Sequence, residues 1–341
     1  MSLTSHLGDK TSPVRQFFSD NFPDTRWARR SCTVPVQSPM LLVKGVRRTD
    51  MAPSGTWNAG EPRVCPENRA NYPWATVGMA FDYEMRFFLG KQDLHQLVAY
   101  SGAQVLATWW GLKRDLPRGF VELLSHITAL EKIDRNWAKA SSPEGKRVLA
   151  QVSYALALYE QCFRAHIANT WPLVQLGRRT SLKKLFASFP DDALDDLTKL
   201  IGLFVETQPD LPAARELVFN PTFDASILLG GADGDLIVDG RLLDIKTKSK
   251  GDITKTDFWQ ILGYVLSDFS DEYGIIEVGF YLSRHGIQVA WDVGTLMELM
   301  SGAPQDLNTM RQRFQETLER LWITRKVARK IHESDEKPKH W

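Results

Sequence analysis

The fold of this chain is decided by residues 228–248, which read LLGGADGDLIVDGRLLDIKTK. Two apolar runs flank Asp239-Gly240, a dipeptide typical of the two-residue turn of a β-hairpin. This turn sets a register in which Asp235 faces Asp244 across the ladder. We therefore expect an antiparallel hairpin over this stretch.

The side chains of the predicted hairpin separate onto two faces, because residues alternate along a strand. One face carries Asp233, Asp235, Ile237, Leu242, Asp244 and Lys246. The other face carries Leu236, Val238, Leu243 and Ile245 and is expected to be core. Two carboxylates are thus placed opposite each other, with a third carboxylate and a lysine one step further along the same face.

The pairing of Asp235 with Asp244 is unfavourable by itself, since like charges directly across a ladder repel. A divalent cation offsets the repulsion, and hard carboxylate oxygens suit Mg²⁺ or Mn²⁺. Lys246 could hold or help deprotonate a metal-bound water, or stabilise charge on a phosphate. The set suits metal-assisted hydrolysis of a phosphodiester. The alternative is that the acids face solvent at the end of the sheet, with Lys246 bridging Asp233 and Asp244.

A helix is expected over about residues 256–268, with an apolar stripe that packs on the sheet. Gln260 and Tyr264 lie four residues apart, so they share a helix face beside that stripe. They are candidates for contact with a nucleic-acid backbone or base, or else an ordinary helix-surface pair. Beside the acids, Lys248, Lys250 and Lys255 are candidates to line a phosphate-binding groove, or simply a solvated surface.

Three pieces of this sequence together resemble the PD-(D/E)XK nuclease superfamily, specifically its RecB-like branch. They are GADGD at 231–235, DIK at 244–246, and Q-x-x-x-Y at 260–264. The resemblance implies an α/β (α+β) fold, with a restriction-endonuclease-like mixed β-sheet core flanked by helices and a large helical insertion. It also implies cleavage of DNA or RNA with Mg²⁺ or Mn²⁺, with Asp235 and Asp244 as metal ligands and Lys246 as the catalytic lysine.

The same resemblance implies that an acid from an earlier helix completes the metal site. The candidates are Asp82 and Glu84 in GMAFDYEMRF, residues 78–87, with Glu160 as a weaker one. Asp82 could instead pair with Arg86, four residues further along the helix. Asp233 is a further candidate ligand, although Asp235 is better placed opposite Asp244.

The remainder of the chain divides by composition and periodicity. An irregular segment with short strands is expected over 1–75, where proline and tryptophan are frequent. A helical region follows over 76–215; it includes the first-motif helix 78–90 and helices near 91–112, 117–133, 144–168 and 190–207. The nuclease core is expected over 216–295, with a second hairpin turning at 284–286, and a C-terminal helix and tail over 296–341.

The composition is that of an ordinary folded protein. The 341 residues carry a net charge of +1, so no global positive field attracts nucleic acid or anionic lipid. Three widely spaced cysteines argue against a disulfide framework, and we expect a soluble, cytoplasmic protein without a membrane partner. No GxxxxGK[ST], GxSxG or HExxH motif occurs.

Nucleic acid is the expected partner, with DNA preferred over RNA, and a protein partner is left open. The alternative function is a catalytically inert nucleic-acid-binding or assembly protein that retains the nuclease fold. Intact Asp235, Asp244 and Lys246 argue against this alternative.

Overall fold

The computed structural model describes residues 2–26, 59–112, 115–139, 141–164 and 171–335. The α-helices of these ranges are α1 Leu3–Gly8, α2 Pro13–Asn21, α3 Trp74–Leu89, α4 Val98–Trp109, α5 Arg118–Ile133, α6 Pro143–Arg164, α7 Pro172–Leu176, α8 Leu182–Phe186, α9 Asp191–Thr207, α10 Ser226–Leu229, α11 Lys255–Ser267, α12 Val293–Ser301 and α13 Leu307–Asp335. The strands are β1 Leu217–Phe219, β2 Leu236–Val238, β3 Arg241–Lys246, β4 Glu277–Leu282 and β5 Ile287–Asp292.

The strands form one mixed sheet in the order β1-β2-β3-β4-β5. Neighbouring strands are antiparallel except for β3 and β4, which are parallel. Parallel neighbours need a long crossover connection, and α11 provides it. The predicted class, a mixed sheet flanked by helices, is therefore confirmed.

The predicted hairpin and its register are confirmed. The Cα partners across β2 and β3 are Leu236 with Leu243, Ile237 with Leu242, and Val238 with Arg241. Asp239 and Gly240 have φ values of 47° and 77°, the left-handed pair that a two-residue turn with matching twist requires. The second hairpin, β4 to β5, also turns where expected.

Both faces of the sheet are covered. Leu236, Val238 and Leu243 belong to one buried cluster with α3, α4, α6 and α9. Ile237 and Leu242 belong to a second cluster with α1, α2, α11 and α13. The hairpin face that carries the charged residues is therefore also core along β2 and the start of β3, so the charges gather only at its open end.

The expectation of an irregular N-terminal segment holds for residues 59–73 but is wrong for residues 2–26, and the expected short strands are absent from both described ranges. Residues 2–26 contain α1 and α2, and neither they nor residues 59–75 contain a strand. Ser2 and Ser12 cap the two helices by accepting backbone N–H groups, and Pro13 occupies a favourable first-turn position. Residues 27–58, with Trp27 and Trp57, lie outside the described ranges.

The four later helices predicted for the helical region are confirmed as α4, α5, α6 and α9. α4 and α6 approach so closely that a Cβ on Gly102 would lie 1.8 Å from the Tyr159 carbonyl oxygen. Glycine is therefore required there for close packing. At the C-terminus, α13 corresponds to the predicted final helix, and α12 precedes it. Among the described helices, none is both long and apolar enough to cross a membrane.

A buried ion pair connects the helical region to the sheet. Arg284, in the turn between β4 and β5, donates two hydrogen bonds to Asp196 of α9, at 2.8 and 3.0 Å. Both side chains are at most 1% exposed. Tyr72 donates to the same carboxylate, and Arg284 donates to the backbone carbonyls of Val64 and Thr247. This cluster joins four separate parts of the chain just past the end of β3.

Candidate functional site

Asp235 and Asp244 come together at the open end of the β2–β3 hairpin. Asp235 directly precedes β2 and Asp244 is the fourth residue of β3, so the confirmed register places them opposite each other. Asp235 Oδ2 accepts a hydrogen bond from the Ile245 backbone N–H at 2.6 Å. Asp244 is 3% exposed, whereas Asp235 keeps a partly accessible side chain.

The two carboxylates are in electrostatic conflict. Burial raises the pKa of Asp235 well above its ordinary value, and the nearby carboxylates of Asp244 and Asp82 raise it further. The hydrogen bond from Ile245 and the charge of Lys246 oppose this shift without cancelling it. A bound cation would relieve the repulsion, because it favours the charged form of both acids.

Lys246 lies directly beside this pair. Its ammonium is 2.6 Å from Asp244 Oδ2 and 3.4 Å from Asp257 Oδ1, and it donates to Gln260 Oε1 at 3.0 Å. Asp244 Oδ2 accepts no aligned hydrogen bond, so its contact with the ammonium is an ion pair. Burial works against the charge on Lys246, but Asp244 and Asp257 outweigh burial and raise its pKa. Lys246 is therefore a cation near neutral pH, suited to donating hydrogen bonds rather than accepting a proton.

Gln260 and Tyr264 also lie near Lys246, but on the side of the protein interior. Gln260 contacts the ammonium, and Tyr264 contacts Gln260. Gln260 donates through Nε2 to the Tyr264 hydroxyl at 2.7 Å. Tyr264 is buried, and its ring stacks on Phe223 with centroids 5.6 Å apart. Burial and the charges of Asp244 and Asp235 raise the pKa of Tyr264. Because it is buried and stacked on Phe223, the tyrosine ring faces the protein interior.

Asp257 is a site residue that sequence reasoning missed. Its Oδ2 accepts from the backbone N–H and hydroxyl of Thr254 at 2.7 and 2.8 Å, in a capping box that begins α11. The same carboxylate contacts Lys246 and Lys248. The T-x-x-D spacing of residues 254–257 signals the cap, but only the packing of α11 on β3 shows the link to the lysines.

Of the two candidate acids on α3, the structure groups Asp82 with the strand pair. Asp82 contributes to the raised pKa of Asp235, and its own pKa is raised by burial and by Glu160 against the opposing charge of Arg86. Arg86 forms an ion pair with Asp82. Asp82 therefore pairs with Arg86 and at the same time lies near Asp235, so both expectations for this residue apply.

Glu84 lies on another side of α3, since two residues turn a helix by about 200°. It is fully buried, and neither carboxylate oxygen has a hydrogen-bond partner. Burial raises its pKa well above the ordinary value, and Asp196 adds to the shift. The structure thus places Glu84 near the Arg284–Asp196 ion pair and does not bring it to Asp235 and Asp244.

Replacing Glu84 with leucine is expected to stabilise the protein. The substitution removes a buried polar group without partners and should raise the free energy of unfolding by about 1–3 kcal/mol. Urea denaturation at neutral pH measures the effect. Glu84→Gln, which keeps a polar amide at the same position, is the matched control and should gain much less. A leucine variant less stable than the parent would show that the carboxyl group has a favourable role.

Asp233 lies at the edge of the cluster. It forms a single bridge with Thr222, whose hydroxyl donates to Asp233 Oδ1 at 3.4 Å. Asp233 also contributes to the raised pKa of Arg164, which pairs with Glu160. Its described side-chain hydrogen bond is therefore with Thr222 and not with the carboxylates of Asp235 and Asp244.

The candidate lysines Lys248, Lys250 and Lys255 lie in two different places. Lys248 and Lys250 line an open groove of about 620 Å³ between the start of α3 and the segment that follows β3, which Trp74 and Gly78 also line. The Lys255 ammonium instead lies 4.4 Å from the centroid of the Trp259 ring. Two of the three therefore share a groove beside the site.

The residues present fit a hard divalent cation held by few protein ligands. Among the described residues, no group of three or more His, Cys, Asp or Glu side chains is arranged to hold a metal ion. Mg²⁺, however, is commonly bound through one or two carboxylates and keeps several waters. Asp235 and Asp244 supply two such carboxylates, and Asp244 Oδ2 also contacts the Lys246 ammonium at 2.6 Å.

Comparison with known proteins adds no relative. A scan against protein-family models finds no match, and searches of curated proteins and of solved structures find none either. The likeness to the PD-(D/E)XK superfamily therefore rests on the motif residues.

Asp235→Asn is expected to stabilise the metal-free protein. The folded-state pKa of Asp235 is raised above the unfolded value, so the native state holds more protons and stability falls as pH rises from about 4 towards the folded pKa. The amide avoids this cost and can still accept from Ile245, so the variant should gain about 1–3 kcal/mol at pH 8 in EDTA.

Thermal unfolding in EDTA at acidic and alkaline pH measures this gain, which should be larger at alkaline pH. Adding Mn²⁺ should stabilise the parent and leave the variant unchanged. A variant less stable than the parent in EDTA at alkaline pH would contradict the electrostatic conflict described for this pair.

Proposed function

We propose that this chain is a metal-dependent nuclease that hydrolyses phosphodiester bonds of nucleic acid, DNA in the first place. The observation that carries the proposal is the meeting of Asp235, Asp244 and Lys246 at the end of one hairpin. Two carboxylates that repel each other do not stabilise the fold. Beside a lysine that is charged near neutral pH, they suit a site that hydrolyses phosphodiester bonds. A restriction-endonuclease-like fold and a cytoplasmic location belong to the same proposal.

Asp235 and Asp244 would hold Mg²⁺ or Mn²⁺, and Asp82 stands nearest among the acids of α3. The ion would polarise a phosphoryl oxygen and supply a nucleophile near neutral pH. Lys246 donates hydrogen bonds to the charge that builds on the phosphate. Gln260 and Asp257 hold the ammonium in place, which limits the reorganisation that the reaction requires.

The groove with Lys248 and Lys250 supports a substrate path beside this site. Lys250 offers positive charge to a phosphate backbone, and Trp74 offers an aromatic surface. Lys248 shares its charge with Asp257 and with Asp252, which also lines the groove. The start of α3 lies beside the segment that follows β3, since a Cβ on Gly78 would contact Thr247 Cβ at 3.8 Å. This places the groove next to the lysine end of the hairpin.

The test is incubation of the purified chain with labelled single- and double-stranded DNA and RNA, in Mg²⁺, Mn²⁺ or EDTA. We expect cleavage that requires a divalent cation and falls at least about a hundredfold in Asp244→Asn. Asp239→Asn, in the turn at the other end of the same hairpin, is the control and should retain activity.

Equal cleavage by the parent and Asp244→Asn would identify a contaminating nuclease and overturn the proposal. Binding of nucleic acid without cleavage under every metal condition would favour the inert binding or assembly protein instead.

A further inference from the structure

Helix α5 exposes one long face at the surface of the helical region. Its buried residues Gly119, Phe120, Leu123 and Ile127 point inward. The opposite side carries Arg118, Val121, Ser125, Thr128 and Lys132, which we call the basic face of α5. Arg118 and Lys132 are separated by about 21 Å along the helix axis at 1.5 Å per residue.

Four cations gather at the start of this face. Arg118, Arg178, Arg179 and Lys184 line a groove of about 600 Å³. Arg118 pairs with Glu122 at 2.6 Å, which leaves Arg178, Arg179 and Lys184 without a described acidic partner. The loop that carries Arg178 and Arg179 is fixed to α5, because Glu122 accepts a hydrogen bond from the Leu182 backbone N–H at 2.7 Å. The cluster is therefore positioned by the backbone before any partner arrives.

Four more cations gather at the end of the same face. Lys91, Lys132, Arg135 and Lys139 line a groove of about 830 Å³ in which Glu131 is the one described acid. Glu131 lies 3.8 Å from Lys91. The groove therefore keeps a surplus of positive charge.

A third groove, of about 530 Å³, lies along the middle of α5 and shares Thr128 and Lys132 with the second. His95 and Tyr100 line it with ring centroids 5.1 Å apart. Along this face of α5, three grooves thus form a track with cations at both ends and aromatic rings between them, and the middle groove joins the one at the end of the helix. Such a track suits a linear polyanion with stackable bases better than a flat lipid surface.

The concentration of charge is unusual for this chain. The whole protein has a net charge of +1, yet eight cations line the two terminal grooves, and of these only Arg118 and Lys91 pair with a described acid. We propose that the basic face of α5 with its flanking cations binds the backbone of a nucleic-acid strand, as a second contact surface apart from the Asp235–Asp244 site. The choice of nucleic acid as the occupant rests on the proposed function, but binding here needs no metal and no cleavage.

Fluorescence anisotropy of a labelled single-stranded DNA oligonucleotide in EDTA tests this surface in the full chain. Neutralising both ends with Arg178→Gln, Arg179→Gln, Lys132→Gln and Arg135→Gln should weaken binding at least about tenfold near 100 mM KCl. The slope of log affinity against log salt should fall by about 0.7 for each phosphate that the variant no longer neutralises. The matched control carries Lys10→Gln, Arg69→Gln, Lys199→Gln and Arg215→Gln, which also remove four exposed cations but elsewhere, and it should change the affinity less than about twofold.

An equally weakened affinity in the control, or an unchanged salt slope in the fourfold variant, would overturn the inference. Binding of phosphatidylserine vesicles without binding of DNA would overturn it in favour of a lipid partner. Because the assay contains EDTA, its result is separate from the nuclease test. Cleavage without dependence on this face, or binding without cleavage, would refute one proposal and leave the other standing.

Discussion

Lys246→Met is expected to lower the rate of phosphodiester cleavage by about a hundred- to a thousandfold at saturating substrate. The ammonium is held between Asp244, Asp257 and Gln260, and methionine offers neither charge nor hydrogen bonds. The decrease should appear in kcat, because the ammonium acts on charge that develops during the reaction. Single-turnover cleavage with Mg²⁺ or Mn²⁺ measures it directly.

Lys248→Met is the matched control for this prediction. Lys248 pairs with the same Asp257 at 2.8 Å but lies two residues further along and is 30% exposed. It should affect substrate affinity more than kcat. Lys246→Arg keeps the positive charge for the buried acids, so low activity in that variant would separate an effect of geometry from an effect of stability. Retention of full activity in Lys246→Met would contradict the catalytic role.

Arg284→Met is expected to lower the free energy of unfolding by about 3–5 kcal/mol. The substitution leaves Asp196 buried without its cationic partner and removes the hydrogen bonds to the Val64 and Thr247 carbonyls. A buried carboxylate that loses its partner costs far more than the net value of the pair. Urea denaturation followed by circular dichroism measures the change.

The double variant Arg284→Met with Asp196→Leu should recover much of this stability, because both buried charges are then absent. Arg63→Met is the control, since Arg63 and Glu206 form an exposed pair that should contribute less than about 1 kcal/mol. A similar cost for Arg63→Met and Arg284→Met would show that burial is not the cause.

The candidate site divides into parts that sequence could and could not predict. The opposition of Asp235 and Asp244 follows from one turn, since the left-handed pair Asp239-Gly240 fixes the register of everything that precedes and follows it. The place of Lys246 follows from the alternation of a strand. These are local properties of adjacent residues.

The choice between Asp82 and Glu84 could not be made in the same way. Both lie on α3, far from the hairpin in sequence, and helical periodicity places them on different sides without saying which side meets the sheet. The packing of α3 against α6 and α9 decides it, and brings Asp82 close enough to Asp235 for its charge to raise the pKa of that carboxyl group. The same packing leaves Glu84 buried without a hydrogen bond.

The sequence alone determined the two hairpins, the positions of the later helices and the candidate pair of carboxylates, because turn chemistry and hydrophobic periodicity act between neighbouring residues. Only the tertiary structure decided the link of Asp257 to both lysines and the Arg284–Asp196 ion pair. Each of these depends on contact between segments that the sequence separates. Such contacts are set by how the helical faces and the sheet bury their apolar surfaces together, which no local pattern records.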